Sequence, residues 1–375
     1  MTIIDVARAA RVSVASVSRV VNGHTNVTPG TRQRILEVVD RLQYVPHLTA
    51  RSLITKRTHV LGVVLPDLYG GFFSELIRGI DAAARELQLH VLLSSSHGDA
   101  KEMAAAIRAM HGRVEGLLVL APELDAAELG KIDADVPTVF MNSRVDDGVS
   151  SSLAIDSYRG ARAMIRHLVA CGHRTIAHVT GPADNFDAHE RERGYRDELA
   201  ASLPAARPLV VRGDFTEASG YAAGQELART RPRPDAVFAA NDMMAIGCLA
   251  AFDALGLAVP ADIAVTGFDD IPLAALVRPA LTTMRVQIVE LGRGAVRQLA
   301  ATIAAPGTKR AITRFQPELV VRESCGTADR RAQVVNPPPV RDGDHDAQMP
   351  PRHDSRTPRP RTGHAPRARR RARHR

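Results

Sequence analysis

The sequence predicts an all-α head built around a helix-turn-helix, followed by an α/β body made of two doubly wound, parallel-sheet halves. Residues 5–22 contain two short helical patterns joined by a tight turn, which is the arrangement of a helix-turn-helix. From Val60 onward, short β-branched apolar runs alternate with longer helical patterns, as in parallel sheets that helices cover on both faces. With 375 residues and 45% hydrophobic content, the chain is long enough for two or three domains.

The first helix of the head is predicted over residues 5–10, and Ser13 offers an N-cap oxygen for a second helix that starts at Val14. A small core is expected from the apolar side chains Val6, Ala7, Ala10, Val12, Val17 and Val21. The outer side of the second helix would then carry Val14, Ala15, Ser16, Arg19 and Asn22. That side is the one a DNA major groove would meet, and an ordinary αα-hairpin is the alternative interpretation.

A third helix is predicted from Pro29 to about Leu42, because Thr28 offers an N-cap and proline suits the first helical turn. Its inner side would carry Ile35, Val38, Val39 and Leu42. These patterns place the head at residues 1–46, a linker at 47–59, the α/β body at 60–326 and a tail at 327–375.

Charge is distributed unevenly along the chain, although the net value is only +8. Residues 1–59 hold nine Lys and Arg against three Asp and Glu, and residues 329–375 hold thirteen against five. The stretch between them is acidic, with a net charge of −6. A basic head of this kind is typical of phosphate contacts, whereas an acidic body should stay away from DNA.

The run from Thr2 to Arg51 resembles the DNA-binding end of the lactose/galactose repressor family of bacterial regulators, whose pattern reads T-I-x-D-V-A-x-x-A-x-V-S-x-x-T-V-S-R-x-x-N. Ser16 stands where Thr is commoner, and Arg11 stands where Gly or Asn usually makes the turn. A left-handed residue other than glycine costs on the order of 1 kcal/mol, so Arg11 weakens the turn without contradicting the motif. The resemblance covers roughly residues 2–325 and implies a repressor that binds palindromic operator DNA.

The linker, residues 47–59, resembles the hinge of that family, which folds when two subunits sit on an operator. Leu53 matches the leucine that wedges into the minor groove, and Ala50 matches the small residue that lets paired hinge helices approach. Such a wedge unstacks a base step and bends the duplex. Without the resemblance, Leu53 would be interpreted as an ordinary linker leucine.

The body pattern predicts strands at residues 60–65, 91–93, 116–120 and 138–141, with helices at 72–89, 101–112 and 125–131. It restarts after Asp156 with helices at 157–171, 190–202, 217–229 and 242–255, and with strands at 175–180, 208–212, 236–240 and 263–267. Two such halves with a crevice between them form the periplasmic-binding-protein type of architecture, which the family also has.

Ligands of such sheets sit beyond the carboxyl ends of the strands, so the residues that follow each strand are the candidates for effector binding. They are Asp67, Phe72, Phe73, Asp187, Arg191, Phe215, Asn241 and Asp269. By resemblance, Arg191, Asn241 and Asp269 match the family's effector-binding residues, and Phe73 and Phe215 match its stacking aromatics. Aromatic faces with converging Arg, Asn and Asp suit a small polyhydroxyl or heterocyclic ligand.

Several of these positions have a structural alternative. Phe72 could belong to the core as easily as to the wall of the crevice, and Asp242 is interpreted as a helix N-terminal charge rather than a ligand contact. Gly70 and Gly71 replace the family's common Asn-Pro, and Asn185 stands where some purine-responsive members carry an arginine. The asparagine at position 185 favours a sugar over a purine, and the resemblance to sugar-binding members of the family favours induction over corepression.

No enzyme motif is found: the sequence lacks G-x-S-x-G, a Walker loop, G-x-G-x-x-G and H-E-x-x-H. A pair of glycosidase carboxylates in the crevice is a minor alternative. Cys171, Cys248 and Cys325 are far apart without C-x-x-C spacing, so neither a metal site nor a disulfide framework is predicted, and no cofactor is expected. The absence of a leader or an 18-residue apolar run predicts a cytoplasmic protein.

A solute-binding protein without a DNA role is the alternative function, and the basic head argues against it. Residues 327–375 contain eight prolines and thirteen arginines with few large apolar side chains, so a disordered tail is predicted. It would either add phosphate contacts or have no role. It contains no leucine heptad, so a homodimer is expected and not a tetramer.

Overall fold

The computed structural model describes residues 1–21, 25–44, 58–122, 136–142, 151–305 and 312–326. Three helices form the described part of the head: α1 (Ile3–Ala10), α2 (Val14–Val21) and α3 (Pro29–Arg41). A capping box between Thr2 and Asp5 starts α1. Arg11 follows α1 in the left-handed region, with φ 52° and ψ 48°, so the turn has the conformation that the motif predicts there.

The core of the head is close to the predicted one. Val6, Ala7, Ala10 and Val17 are buried, and Ile35, Val38 and Tyr44 close the core from α3 and the residues after it. Val12 and Val21, which were predicted to join this core, are partly buried and pack against it, and Val20, which the prediction did not include, is 4% exposed. Val20 and Val21 lie three and four positions after Val17, so all three share one face of α2. Val20 is the more enclosed of the last two.

Thr28 does not cap α3 with its side chain, contrary to the sequence prediction. Its hydroxyl donates instead to the Thr31 hydroxyl, 3.0 Å away. Pro29 does occupy the first turn, where its missing N–H costs nothing.

The first subdomain of the body contains a parallel sheet of six strands in the order β11-β5-β4-β3-β1-β2. Its strands are β1 (Val60–Leu65), β2 (His90–Ser95), β3 (Gly116–Leu120), β4 (Thr138–Met141), β5 (Ser151–Ile155) and β11 (Ile312–Phe315). Between them lie α4 (Gly71–Glu86) and α5 (Ala100–Met110). β1 and β3 are buried almost throughout, which is why their sequences are continuously apolar.

The second subdomain contains a parallel sheet of four strands in the order β7-β6-β8-β9. Its strands are β6 (Ile176–Val179), β7 (Leu209–Val211), β8 (Ala236–Ala239) and β9 (Ala264–Thr266). Its helices are α6 (Ser157–Ala170), α7 (Phe186–Ser202), α8 (Glu217–Arg229) and α9 (Asp242–Ala254). The predicted helix at 190–202 thus starts four residues early, because Asn185 caps it by accepting from the Ala188 amide.

After β9 the chain returns to the first subdomain, a feature that the sequence prediction did not contain. A short 3-10 turn (Pro272–Ala275) and β10 (Thr283–Arg285) lead into α10 (Ile288–Ala304), which packs on α4 and on β3 to β5. β11 then joins the first sheet, and β12 (Glu318–Val320) pairs antiparallel with β10. Three chain passages therefore connect the two subdomains.

The returning helix α10 is held tightly against α4 by two glycines. A Cβ atom at Gly79 would lie 2.2 Å from the carbonyl oxygen of Val289, and one at Gly292 would lie 2.5 Å from that of Leu76. Only glycine allows the helix backbones to approach this closely.

Three predicted features lie wholly or mostly outside the described residues, namely the linker at 47–59, the helix at 125–131 and the tail at 327–375. In the part of the chain that the structure describes, no helix is both long and apolar enough to cross a membrane.

Candidate functional site

The outer side of α2 is open to solvent. Ser13 caps the helix, since its hydroxyl oxygen accepts from the Ser16 amide at 3.1 Å, as the sequence predicts. Val14 is 41% exposed, Ala15 and Arg19 are exposed, and Ser16 is half-buried. These side chains form one surface that could enter a groove. The other predicted DNA contacts, Asn22, Ala50 and Leu53, lie outside the described residues.

A cleft between the two subdomains lies at the carboxyl ends of both sheets. Its empty space, including the open mouth, is about 790 Å³. All eight residues predicted for effector binding line it: Asp67, Phe72, Phe73, Asp187, Arg191, Phe215, Asn241 and Asp269. The structure therefore gathers them at one place, while their contact with an effector remains a prediction.

Arg191, on α7, brings a positively charged side chain to the cleft and is 4% exposed. Its guanidinium donates to the Ala240 carbonyl and to the Ser157 hydroxyl. It also stacks on the Phe268 ring, with 3.8 Å between the guanidinium carbon and the ring centroid. A planar cation held by hydrogen bonds and by an aromatic face is fixed in orientation before any ligand arrives.

Asp269 faces Arg191 from the loop after β9, with 3.4 Å between its Oδ1 and the guanidinium. The contact is one of charge only, because this buried Oδ1 has no hydrogen-bond partner among the described residues. Burial raises the pKa of the Asp269 carboxyl to about 7, against the lowering effect of Arg191. Its backbone is left-handed, with φ 111°, which is strained for a residue other than glycine.

Asp187 is the second buried carboxylate of the cleft, in the first turn of α7. Its Oδ1 accepts from the Ser157 hydroxyl at 2.8 Å. Burial raises its pKa as well, and Arg191 opposes that shift. Two buried carboxylates thus share one guanidinium, so a ligand that donates hydrogen bonds would satisfy the excess of acceptors.

Asn241 links the start of α9 to the segment that carries the Phe215 ring. Its Oδ1 caps α9 by accepting from the Met244 amide at 2.9 Å, and its Nδ2 donates to the Phe215 carbonyl at 2.9 Å. Phe215 is left-handed, with φ 73°. A Cβ atom at Gly181 would lie 2.4 Å from the Phe215 ring, so glycine is required there for the ring to take its place.

Asp242 does not line the cleft, in keeping with its interpretation as a structural residue. It is fully buried, and its carboxylate accepts from the Thr283 hydroxyl and from the Ile271 amide. Burial, with a further contribution from Asp269, raises its pKa well above the usual range. Asp242 thereby fixes the loop that carries Asp269 and Ile271.

The wall from the first subdomain is aromatic. Phe72 and Phe73 pack edge to face, with ring centroids 5.6 Å apart, and both also touch the main core. Both interpretations of Phe72, as core and as wall, therefore describe its place. The Asp67 carboxylate accepts from the backbone amides of Leu68 and Tyr69, which shapes the loop between β1 and α4.

Several lining residues were not predicted. Asn142 directly follows β4, and Asp214 and Thr216 follow β7, so the rule that ligands sit beyond the strands could have found them. Tyr69 also lines the cleft and donates from its hydroxyl to the carboxylate of Glu217 at the start of α8. This hydrogen bond joins the two subdomains across the mouth of the cleft.

Two protein-family models match the chain, one over the head and one over part of the body. Residues 2–47 match the model of bacterial regulatory proteins of the lacI family. Residues 165–325 match the model of the periplasmic binding protein-like domain. The ribose operon repressor of Escherichia coli strain K12 is 35% identical over 327 residues, which cover 86% of this chain and 99% of that protein.

Solved structures show the same likeness. The lac repressor dimer bound to operator and the anti-inducer ONPF superposes with a TM-score of 0.76 at 29% identity, covering 87% of this chain and 99% of that chain. A complex of the transcriptional regulator CelR with cellobiose superposes with a TM-score of 0.66 at 32% identity, covering 86% and 99%. Both parts of the chain, head and body, therefore share the fold of known regulators.

Proposed function

Since this chain belongs to the lacI family of bacterial regulatory proteins, and is therefore a DNA-binding transcriptional regulator, we propose that it is a homodimeric repressor induced by a sugar. The sugar would bind in the cleft and lower the affinity for a palindromic operator. The observation that carries the proposal is the pairing of Arg191 with Asp269, whose buried oxygen has no hydrogen-bond partner among the described residues.

The chemistry of the cleft supports a sugar. Arg191 can only donate hydrogen bonds and ionised Asp269 can only accept them, so together they match two neighbouring hydroxyls. Phe73 and Phe215 offer apolar faces against which the C–H side of a pyranose or furanose ring could lie. A ribose operon repressor and a cellobiose complex among the similar proteins favour the same ligand class.

The exposed surface of α2 supports operator binding. Val14 and Ala15 present methyl groups that can contact thymine methyls, and Arg19 can donate two hydrogen bonds to a guanine edge. In the proposal each subunit reads one half-site, and Asn22, Ala50 and Leu53 complete the contacts. A similar repressor binds its operator as a dimer, and the proposed place of action is the cytoplasm, where the DNA is.

The proposed switch is a change in the angle between subdomains. Asp67 and Phe73 belong to the first subdomain, whereas Arg191 and Asp269 belong to the second, so a bound sugar would bridge them. It would shift the operator affinity only by its differential affinity for the two conformations. In this proposal the cleft binds its ligand without a catalytic role. The DNA-binding head distinguishes the chain from a simple solute-binding protein.

The test combines operator selection with a ligand screen. Fragments bound by the full-length protein are selected from a random DNA pool, and sugars and nucleosides are then screened by thermal shift, since the chain contains no Trp. A hit should release the selected DNA in fluorescence anisotropy. Asp269→Asn should bind the same DNA but fail to release it. Selection of no palindromic site, or release of the variant at the same sugar concentration, would overturn the proposal.

A further inference from the structure

The fold brings Cys325 next to two side chains that lie far earlier in the sequence, His167 and Cys171. Their ligand atoms all lie within 4.8 Å of one another. His167 and Cys171 are four residues apart, the first on α6 and the second at its C-cap, so they share one helix face. Cys325 arrives from the segment that follows β12.

The distances within this cluster match the edges of a metal coordination tetrahedron. The Nε2 atom of His167 lies 3.3 Å from the Cys325 sulfur and 3.6 Å from the Cys171 sulfur. Zinc bonds of about 2.3 Å to sulfur and about 2.0 Å to nitrogen, at tetrahedral angles, place such atoms about 3.6 Å apart. The imidazole nitrogen therefore already lies at coordination spacing from both sulfurs, and the two sulfurs lie within 4.8 Å of each other.

The Cys325 backbone is fixed on both sides. The Ser324 hydroxyl accepts from the Thr282 amide and donates to the Val265 carbonyl, which ties this segment to β9. His173 contacts the Cys325 carbonyl oxygen through its Nε2 at 2.9 Å. A site whose ligands are held from outside in this way loses little entropy when an ion binds.

The two cysteines differ in their access to solvent. Cys171 is half-buried, whereas Cys325 is 0% exposed. Redox-sensing cysteines are accessible, so the enclosed sulfur of Cys325 does not fit that role. A sulfur enclosed beside an imidazole and a second sulfur does fit the role of a metal ligand.

We propose that His167, Cys171 and Cys325 form a binding site for a soft metal cation, Zn²⁺, with a water molecule as the fourth ligand. Thiolate and imidazole donors suit this ion, and the partial exposure of Cys171 gives the water access. Binding releases the two thiol protons to solvent, so that Zn²⁺ and two thiols become a neutral dithiolate site and two protons.

The site would fasten the last described segment of the body to α6. The same helix begins at Ser157, which bonds Asp187 and Arg191 in the cleft. Metal binding is thus expected to stabilise the second subdomain, by an amount that grows with the free zinc concentration.

The test uses the full-length, reduced protein, freed of metal by a chelator. Zn²⁺ affinity is measured by competition with a chromophoric chelator, and Co²⁺ is used as a spectroscopic probe. Co²⁺ should bind at one equivalent per chain with an intense near-ultraviolet sulfur-to-metal band. Because that band reports thiolate ligands only, histidines elsewhere in the chain do not contribute to it.

Cys171→Ser and Cys325→Ser should lose the band and weaken Zn²⁺ binding at least about tenfold. Cys248→Ser is the matched control, since Cys248 is equally buried but donates to the Gly220 carbonyl in another part of the subdomain. Far-ultraviolet circular dichroism confirms that each variant is folded. If the wild type shows no sulfur band, or if Cys171→Ser retains it, the proposal is wrong. Formation of a Cys171–Cys325 disulfide by a wild type that binds no Zn²⁺ would likewise overturn it, in favour of a redox pair.

Discussion

Arg191 and Asp269 face each other across 3.4 Å without forming a hydrogen bond, although each is almost fully buried. The guanidinium donates its hydrogen bonds to the Ala240 carbonyl and the Ser157 hydroxyl. Among the described residues no donor reaches the buried Oδ1 of Asp269, which is a costly state for a buried oxygen. A ligand hydroxyl placed between them would remove this cost, so the cleft is arranged for binding.

The raised pKa of Asp269 predicts a pH-dependent stability. The carboxyl holds its proton in the folded protein up to about pH 7 but loses it near pH 4 when unfolded. Its contribution to the free energy of unfolding is therefore fully present below about pH 4 and is lost as the pH rises towards 7. Urea unfolding at pH 5.5 and 8 should show this loss in the wild type.

Asp269→Asn should reduce that pH dependence, because the amide does not titrate and asparagine tolerates a left-handed backbone. Asp184→Asn, at an exposed carboxylate, is the control and should follow the wild type. An equal fall in stability for Asp269→Asn and the wild type would assign the effect to other groups.

Arg191→Ala is expected to do more than remove a ligand contact. Without the guanidinium, Asp187 and Asp269 remain buried with no cation, and breaking a buried pair in this way costs about 3–5 kcal/mol. The free energy of unfolding, measured in urea, should fall by that amount. Arg193→Ala, on the exposed side of the same helix, removes a surface pair with Glu190 and a contact with the Tyr158 ring 4.1 Å away, and should cost no more than about 2 kcal/mol. A loss as small for Arg191→Ala would mean that the buried carboxylates do not depend on it.

The candidate cleft could be predicted from the sequence because its residues follow strands. The carboxyl ends of parallel strands converge at one edge of a sheet, so Arg191, Asn241 and Asp269 could be placed together without coordinates. Their hydrogen bonds could be predicted only in part. Asn241 stands where an N-cap is preferred, but nothing in the sequence indicates that it also donates to the Phe215 carbonyl, or that the buried Oδ1 of Asp269 has no hydrogen-bond partner among the described residues. Such details depend on loop geometry that short sequence patterns do not encode.

The return of the chain through α10 and β11 could not be predicted either. Periodicity indicates that a segment is a helix or a strand, but it does not indicate which sheet the strand joins. The cluster of Cys171 and Cys325 was missed for the same reason, since motif rules rely on short spacings and these cysteines meet only through the fold.

The hydrogen bond from Tyr69 to Glu217 joins the two subdomains across the mouth of the cleft, so it should stabilise their arrangement in this structure. Tyr69→Phe removes only the hydroxyl, so this arrangement should lose about 0.5–1.5 kcal/mol. A sugar that binds to this arrangement should then bind about two- to tenfold more weakly by calorimetry. Tyr221→Phe, on the same helix as Glu217, is the control and should leave the affinity unchanged. Equal affinities for all three proteins would show that the hydrogen bond does not stabilise this arrangement.

Arg19 is the side chain of α2 best suited to read a base. It is exposed on the same surface as Val14 and Ala15, and a bidentate contact of arginine with guanine contributes about 1–3 kcal/mol of discrimination. Arg19→Ala should therefore reduce the affinity for the selected operator and relax the preference at one position in each half-site, as measured by anisotropy on single-base variants. Arg108→Ala, at an exposed arginine of α5 in the acidic body, removes the same charge and should change neither quantity. If Arg19→Ala kept both the selected sequence and its affinity, the assignment of α2 to the major groove would have to be abandoned.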